Sequence, residues 1–163
     1  MFGGGNDGPA YLSSCEVVQV ETLGKSSSFG DLTQTVNNSF SMSGNRTRGV
    51  RHSGYIGGSS PYTTNTMDYT EFASRGNFAD FGDATTSSKA AGVASTTRVI
   101  RYGSYDVNTI DYHAIASLGD FSDFGDAVAA LGAGEAVSSP VRGVRCGAQS
   151  SSNTMEYITM ATT

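Results

Sequence analysis

The stretch "DYTEFASRGNFADFGD", residues 68–83, returns as "DYHAIASLGDFSDFGD", residues 111–126. Its Asp-Phe-Gly tripeptide would hold magnesium in a protein kinase, but the chain has no Gly-rich strand, strand lysine or H-R-D loop to go with it. Because the tripeptide recurs together with its surroundings, it belongs to an internal repeat. The two copies start 43 residues apart. A repeat period of this length is typical of a propeller, solenoid or array, so the pair of stretches decides the fold.

The acidic segment at the start of these two stretches occurs four times in the chain, and its pattern predicts a strand. The four copies are "CEVVQVETLG", "MDYTEFASRG", "IDYHAIASLG" and the shorter "MEYITMATT". Apolar residues flank each acid, which is the period-two pattern of a strand with one buried face. A further apolar residue follows four places after each acid, and this predicts a bulged strand or one buried on both faces. The aligned acids are Glu16, Asp68, Asp111 and Glu156.

An arginine block lies upstream of three of these strands and reads "NRTRGVRHSG", "STTRVIRYG" and "SPVRGVRCG". Charged residues make up only 15% of the chain, and helix formers never recur at helical spacing. We therefore predict an all-β protein of tandem repeats of about 45 residues, with short antiparallel strands in β-propeller-like blades or in a β-solenoid-like stack. Residues 1–163 would form one repeat domain, with units 1–47, 48–97, 98–141 and a partial unit 142–163.

The tripeptide Phe-Gly-Asp itself is predicted to be a tight turn, because glycine allows turn conformations and aspartate bonds to local amides. The copies begin at Phe29, Phe81 and Phe124. A calcium site is the alternative reading of "DFGD", but two acids three residues apart lack the ligand count of a calcium loop.

Charges that recur once per repeat are interpreted as structural, because each most simply pairs with an opposite charge in its own or the adjacent repeat. The arginines are Arg48, Arg98 and Arg142, and the acids are the four aligned above. A ring of these charges that binds or catalyses is the alternative. No nucleophile, base and orienting group occur together, and His52 and His113 occupy unrelated repeat positions where we expect solvent-facing strand residues. We therefore predict no catalytic residue, no metal and no cofactor.

Charge, apolar runs and cysteine content limit the classes of partner and of covalent link that we expect. The net charge is −5 and the ten basic residues are scattered, so we expect no nucleic-acid partner. No apolar run could span a bilayer, and the first residues lack the basic start and apolar core of a secretory signal. Cys15 aligns with apolar residues and is interpreted as a small buried hydrophobe rather than as a disulfide partner of Cys146.

The segments that differ between repeats connect the arginine and acidic strands: "GNDGPAYLSS", "YIGGSSPYTTNT", "SYDVNT" and "AQSSSNT". Loops on a rigid repeat scaffold are where recognition usually occurs. The candidate recognition residues are Tyr11, Tyr55, Tyr62 and Tyr105, because amphipathic tyrosines suit contacts with carbohydrate or protein. Ordinary exposed turn residues are the alternative.

Taken together, R-G-V near a glycine pair, N-T-[MI]-[DE]-Y, I-A-S-x-G-[ND] and D-F-G-D resemble tandem repeats in structural proteins of bacteriophages, notably cyanophage tail-fibre and virion-associated proteins. The resemblance covers almost the whole chain. Such repeats are similar to kelch blades, although this chain contains no tryptophan. The resemblance implies a non-enzymatic virion component, made in the host cytoplasm, that associates with itself and with other virion proteins.

We therefore expect a virion structural protein of the tail, tail fibre or capsid surface that assembles through its repeats and touches the host surface, in particular a glycan. A carbohydrate-binding, lectin-like propeller module is the alternative. The first and last repeats read as incomplete, which predicts an unpaired terminal strand that joins a neighbouring subunit. Its assembly residues would be Met155, Tyr157, Ile158 and Met160.

Overall fold

The computed structural model describes residues 1–8, 10–37, 41–58, 60–105, 107–132, 134–148 and 152–160. These residues form fourteen β-strands and no helix, and every strand pair is antiparallel. The all-β prediction is confirmed. The strands make four small sheets that follow one another along the chain.

Within each sheet, neighbouring strands are also neighbours in sequence. The first sheet contains β1 (Phe2–Gly3), β2 (Leu12–Val17) and β3 (Ser27–Val36). The second contains β4 (Ser41–Gly44), β5 (Arg48–Tyr55), β6 (Thr63–Glu71) and β7 (Ala79–Asp83). The third contains β8 (Ala90–Ala94), β9 (Arg98–Gly103), β10 (Thr109–Ala114) and β11 (Ser122–Asp126). The fourth contains β12 (Glu135–Ser138), β13 (Arg142–Ala148) and β14 (Ser152–Thr159). A sheet thus starts one strand before the arginine at which the sequence units begin.

The small-residue strands β4, β8 and β12 of the second, third and fourth sheets lie side by side, with β8 packed between β4 and β12. The other strands of each sheet extend away from this contact. Serine side chains connect these strands: the Gly92 amide donates to Ser41 Oγ at 2.9 Å, and Ser138 Oγ donates to the Ala94 carbonyl at 3.0 Å. Gly92 is required here, since a Cβ on it would lie 2.3 Å from the His52 ring. Small residues therefore let the strands approach closely, and the result is a blade-like arrangement.

Phe-Gly-Asp is a bulged strand rather than the predicted turn. Its copies lie in β3, β7 and β11, and each phenylalanine is the extra residue where the pairing register shifts beside the acidic strand. The bulge predicted for the acidic strand therefore lies in the strand that pairs with it, opposite the acid. The glycines have φ of 156°, 137° and 135°. At Gly82 this conformation also admits the next sheet, because a Cβ there would lie 2.2 Å from the Gly119 carbonyl oxygen.

Backbone hydrogen bonds join the bulged strands to the following sheets. Gly76 and Gly119 donate to the Phe29 and Phe81 carbonyls at 3.0 and 2.8 Å. Phe78 and Phe121 donate in the same way to Asp31 and Asp83. The segment was mistaken for a turn because its glycine and aspartates serve close contact between sheets and not chain reversal.

Hydrophobic clusters fill the space between consecutive sheets. The cluster between the second and third sheets includes Val50, Met67, Phe81 and Ile115, all at most 2% exposed. The other two clusters join the first sheet to the second and the third to the fourth. Cys15 is 1% exposed in one of them, and both cysteines are free, as its interpretation as a buried hydrophobe predicts. No cluster of described residues joins the first sheet to the last.

The four predicted assembly residues divide between two faces of β14. Met155 and Tyr157 are 70% and 63% exposed. Met160 is 1% exposed and Ile158 is half-buried, and both pack against the third sheet. The expectation that all four are uncovered is therefore wrong for Met160 and Ile158, because alternate residues of a strand point to opposite faces.

Candidate functional site

The repeated acids form buried ion pairs, but with the second arginine of each R-x-x-R block rather than the first. The pairs are Arg51–Asp68 at 2.8 Å, Arg101–Asp111 at 2.9 Å and Arg145–Glu156 at 3.1 Å. Arginines three places apart in a strand point to opposite faces, and only the second lies directly opposite the acid in the strand pairing. The predicted pairing through Arg48, Arg98 and Arg142 is corrected accordingly.

The first arginine of each block lies over a tyrosine on the other face of its sheet. The pairs are Arg48 over Tyr69 at 4.6 Å, Arg98 over Tyr112 at 5.1 Å and Arg142 over Tyr157 at 4.6 Å. Arg48 also donates to Glu71. These contacts recur with the repeat and stabilise each sheet locally by cation–π attraction.

The acids also receive hydrogen bonds from the preceding sheet. Backbone amides of Thr33, Thr85 and Val128 donate to Asp68, Asp111 and Glu156 at 3.3, 2.9 and 2.7 Å. The two threonines add their hydroxyl groups. Each carboxylate therefore connects its own arginine to a backbone amide in or just after the last strand of the preceding sheet.

Burial makes these pairs sensitive to loss of one partner. Desolvation lowers the pKa of Arg101, and the neighbouring Asp111 carboxylate opposes that shift. Desolvation likewise lowers the pKa of Arg145, against the effect of Glu156. Removing one member of a buried pair leaves an uncompensated charge, which typically costs about 3–5 kcal/mol.

The first sheet departs from this pattern. Phe2 occupies the position opposite Glu16 that arginine occupies in the other sheets. Glu16 is exposed and accepts a hydrogen bond from Ser26 Oγ at 2.7 Å. The acid at this repeat position is therefore buried and paired with arginine in three sheets, and exposed in the first sheet.

Neither histidine is the solvent-facing residue expected from the sequence. His52 is fully buried, and its ring nitrogen Nε2 lies 2.6 Å from Ser43 Oγ. Burial, with the charges of Arg101 and Arg51, lowers the pKa of His52 to about 3, so its imidazole is neutral near pH 7. His113 is half-buried among Phe81 and Phe121. Both rings contact core phenylalanines, and His113 Nδ1 also lies 2.9 Å from the Ala114 carbonyl oxygen.

The four loop tyrosines predicted for recognition come together on one face. The Tyr11 and Tyr55 ring centroids are 6.2 Å apart in an edge arrangement. Tyr55 and Tyr62 stack at 6.2 Å with planes 12° apart. Tyr105 joins them through Lys89, whose Nζ lies 4.2 Å from the Tyr105 ring and 5.2 Å from the Tyr55 ring. We call these four residues and Lys89 the tyrosine face.

Local backbone conformation positions these rings. Gly57 has φ of 66°, and a Cβ on it would lie 1.9 Å from the Tyr11 ring, so only glycine lets that ring pack on the loop between β5 and β6. Tyr105 has φ of 63°, an uncommon left-handed conformation for a non-glycine residue. Such a conformation persists only where surrounding structure maintains it, which is common at ligand-binding sites.

A pocket of about 350 Å³ opens between Tyr55, Tyr62, Tyr105 and Lys89. The small residues at its wall carry hydroxyl groups: Thr63, Ser87, Ser88 and Ser104. Flat aromatic rings beside hydroxyl groups and one cation suit a polar ligand with apolar faces, such as a sugar. Sequence reasoning missed Lys89, which is the single charged residue between Asp83 and Arg98.

Aspartates around the Phe-Gly-Asp strands do not assemble a metal site. The pKa of Asp83 is raised by burial and by the like charges of Asp120 and Asp80. In the described part of the chain, no group of three or more His, Cys, Asp or Glu side chains could hold a metal ion. The same described residues contain no helix that could cross a membrane.

No protein-family model matches the chain, and no curated protein matches it. Solved structures do match. One, "Structure of YjhT", superimposes with a TM-score of 0.65 at 8% sequence identity, over 91% of this chain and 48% of that chain. The chain therefore spans about half the length of that protein, and at this identity the likeness concerns the fold alone.

Proposed function

We propose that this chain is a non-enzymatic structural protein of a bacteriophage virion, which assembles through its repeats and contacts a host-surface glycan through the tyrosine face. The observation that carries the recognition role is the convergence of four loop tyrosines from three different sheets on one face, where Tyr55, Tyr62 and Tyr105 line a pocket. The virion role rests on the resemblance of the repeats to those of phage structural proteins. No nucleic-acid partner and no membrane insertion belong to this proposal.

The use of the charged residues supports a non-enzymatic role. The three buried arginine–acid pairs serve contacts between sheets. His52 is fully buried, and His113 Nδ1 lies 2.9 Å from a backbone carbonyl oxygen, so neither ring is arranged as a general base beside a nucleophile that solvent reaches. Catalytic sites normally depart from repeat symmetry. The departure in this chain is the tyrosine face, which offers stacking surfaces and hydroxyl groups rather than a nucleophile with its base.

Self-assembly is supported by the outer face of the last sheet. Met155 and Tyr157 occupy the repeat positions of Ile110 and Tyr112. Ile110 is 3% exposed beneath the following sheet, whereas Met155 is 70% exposed. A second copy or another virion protein that covers Met155 would bury apolar surface as the internal interfaces do.

A Met155→Asp variant tests this assembly directly, because a charge cannot be buried cheaply in such an interface. We expect the wild-type chain to form oligomers in size-exclusion chromatography with light scattering, and the variant to lose them. Leu118→Asp is the matched control, since Leu118 is exposed in a loop between β10 and β11. A wild-type chain that is monomeric at all concentrations and in its particle would contradict the proposal.

Recognition is tested by a glycan array and a host-envelope pull-down with wild type and a Tyr55→Ala/Tyr105→Ala variant. We expect binding to be lost in the variant while its thermal unfolding temperature stays within a few degrees. Mass spectrometry of purified phage particles tests the virion assignment separately. Absence of the chain from particles would remove that assignment, and unchanged binding by the double variant would remove the tyrosine face.

A further inference from the structure

We infer that the tyrosine face is selective for an anionic saccharide, a sugar that carries a carboxylate or sulfate group, and that Lys89 supplies this selectivity. The inference rests on the proposed glycan contact and adds the charge of the ligand. It follows from the position, environment and partners of Lys89.

Lys89 is the charged residue among the described residues that line the pocket. It takes part in none of the ion pairs between described residues. Its Nζ lies over the Tyr105 and Tyr55 rings, whose electron-rich faces hold an ammonium in place without accepting full hydrogen bonds. An ammonium has three donors, so Lys89 can donate to an anionic ligand.

The pocket floor adds to this preference. Ser88 is 5% exposed, and its Oγ accepts a hydrogen bond from the Arg101 guanidinium. Because that oxygen already accepts from a cation, its own O–H can donate to a ligand oxygen. Arg101 is paired with Asp111, so it orients Ser88 rather than adding a free charge. Lys89 and Ser88 together present donors to an anion.

Shape favours a sugar over a bare anion. A volume of about 350 Å³ falls at the lower end of the range for small-ligand pockets, which is far more space than a simple anion requires. Tyr62 is 50% exposed and stacks on Tyr55, so a flat aromatic surface borders the pocket. The apolar face of a sugar ring can pack on that surface while its acidic group reaches Lys89.

The test begins with an array of neutral, carboxylated and sulfated oligosaccharides, followed by calorimetric titration of the tightest binder. The variants are Lys89→Met, which keeps the apolar stem over the rings, and Lys89→Arg, which keeps the charge. Lys25→Met is the control, because Lys25 is the other lysine of the chain and is exposed in the first sheet's loop.

We expect acidic saccharides to bind at least about tenfold more tightly than their neutral counterparts, in line with one charge-assisted hydrogen bond. Lys89→Met should lose that difference, Lys89→Arg should retain part of it, and Lys25→Met should behave as wild type. Added salt should weaken acidic binding. The separate uronate and sulfate arms identify which acidic group is bound.

Two outcomes overturn the inference in different ways. Equal binding of neutral and acidic saccharides, or an unaffected Lys89→Met variant, would refute charge selectivity and leave the glycan contact standing. Absence of binding to every saccharide of either charge would refute both, with a protein partner then to be sought by pull-down.

Discussion

The buried ion pairs between sheets and the tyrosine face are built on opposite principles. The pairs recur three times in the same arrangement, with an acid opposite the second arginine and a backbone amide in or just after the last strand of the preceding sheet. The tyrosine face occurs once, on loops that differ between repeats. Repetition therefore marks residues that hold the sheets together, and departure from repetition marks the candidate for recognition. The predictions below probe that contrast.

The largest effect is expected from Asp111→Ala, which leaves the buried Arg101 without its partner. The free energy of unfolding should fall by about 3–5 kcal/mol. Glu16→Ala is the matched control at the same repeat position, and because Glu16 is exposed, its loss should cost within about 0.5 kcal/mol. Urea unfolding of both variants measures the difference. Equal losses would mean that the buried pair contributes nothing beyond an exposed acid.

A second comparison uses two glycines of the same motif. Gly82 and Gly125 have nearly the same φ, 137° and 135°, but only at Gly82 would a Cβ meet the next sheet. Alanine at either position strains the backbone, so the additional loss at Gly82 reports the close approach between sheets. We expect this excess to be about 1–3 kcal/mol, as for overpacked sites. Thermal unfolding that ranks the two variants the other way would refute the close approach.

Double-mutant cycles separate the two arginines of one block. Arg101→Ala and Asp111→Ala should couple by about 0.5–3 kcal/mol, because the side chains are in contact. Arg98→Ala and Asp111→Ala should be additive within about 0.5 kcal/mol, because Arg98 lies over Tyr112 on the other face. A larger coupling for Arg98 would restore the pairing first expected from the sequence.

The smallest effect concerns pH. The pKa of His52 is about 3 in the folded chain and about 6.5 in the unfolded chain. Below pH 6.5 the unfolded state therefore binds a proton at this residue, whereas the folded state does not. Stability should be fully present above pH 6.5 and fall by about 1–2 kcal/mol between pH 7 and pH 5. His52→Asn should flatten this slope. A wild-type stability that is flat over this range would contradict burial of a neutral His52.

The sequence predicts much of this architecture, since the repeat and its period-two acidic strand lead directly to small antiparallel sheets. It also identifies the four tyrosines, because they lie in the segments that differ between repeats. It misassigns the arginine partner, although counting three residues from Arg98 to Arg101 would have placed them on opposite faces. Phe-Gly-Asp as a bulged strand and Lys89 as a pocket residue depend on contacts between sheets, which no local pattern encodes.

The central proposal is that the loop tyrosines bind a glycan and the tyrosines of the repeated strands do not. Titration calorimetry of one glycan against Tyr62→Ala and Tyr157→Ala tests it most directly, because these loop and repeat tyrosines are both exposed, by 50% and 63%. We predict that Tyr62→Ala raises the dissociation constant per site by about tenfold or more, as expected for loss of an aromatic contact. Tyr157→Ala should leave that constant unchanged. Equal weakening by both variants, or weakening by Tyr157→Ala alone, would contradict the account.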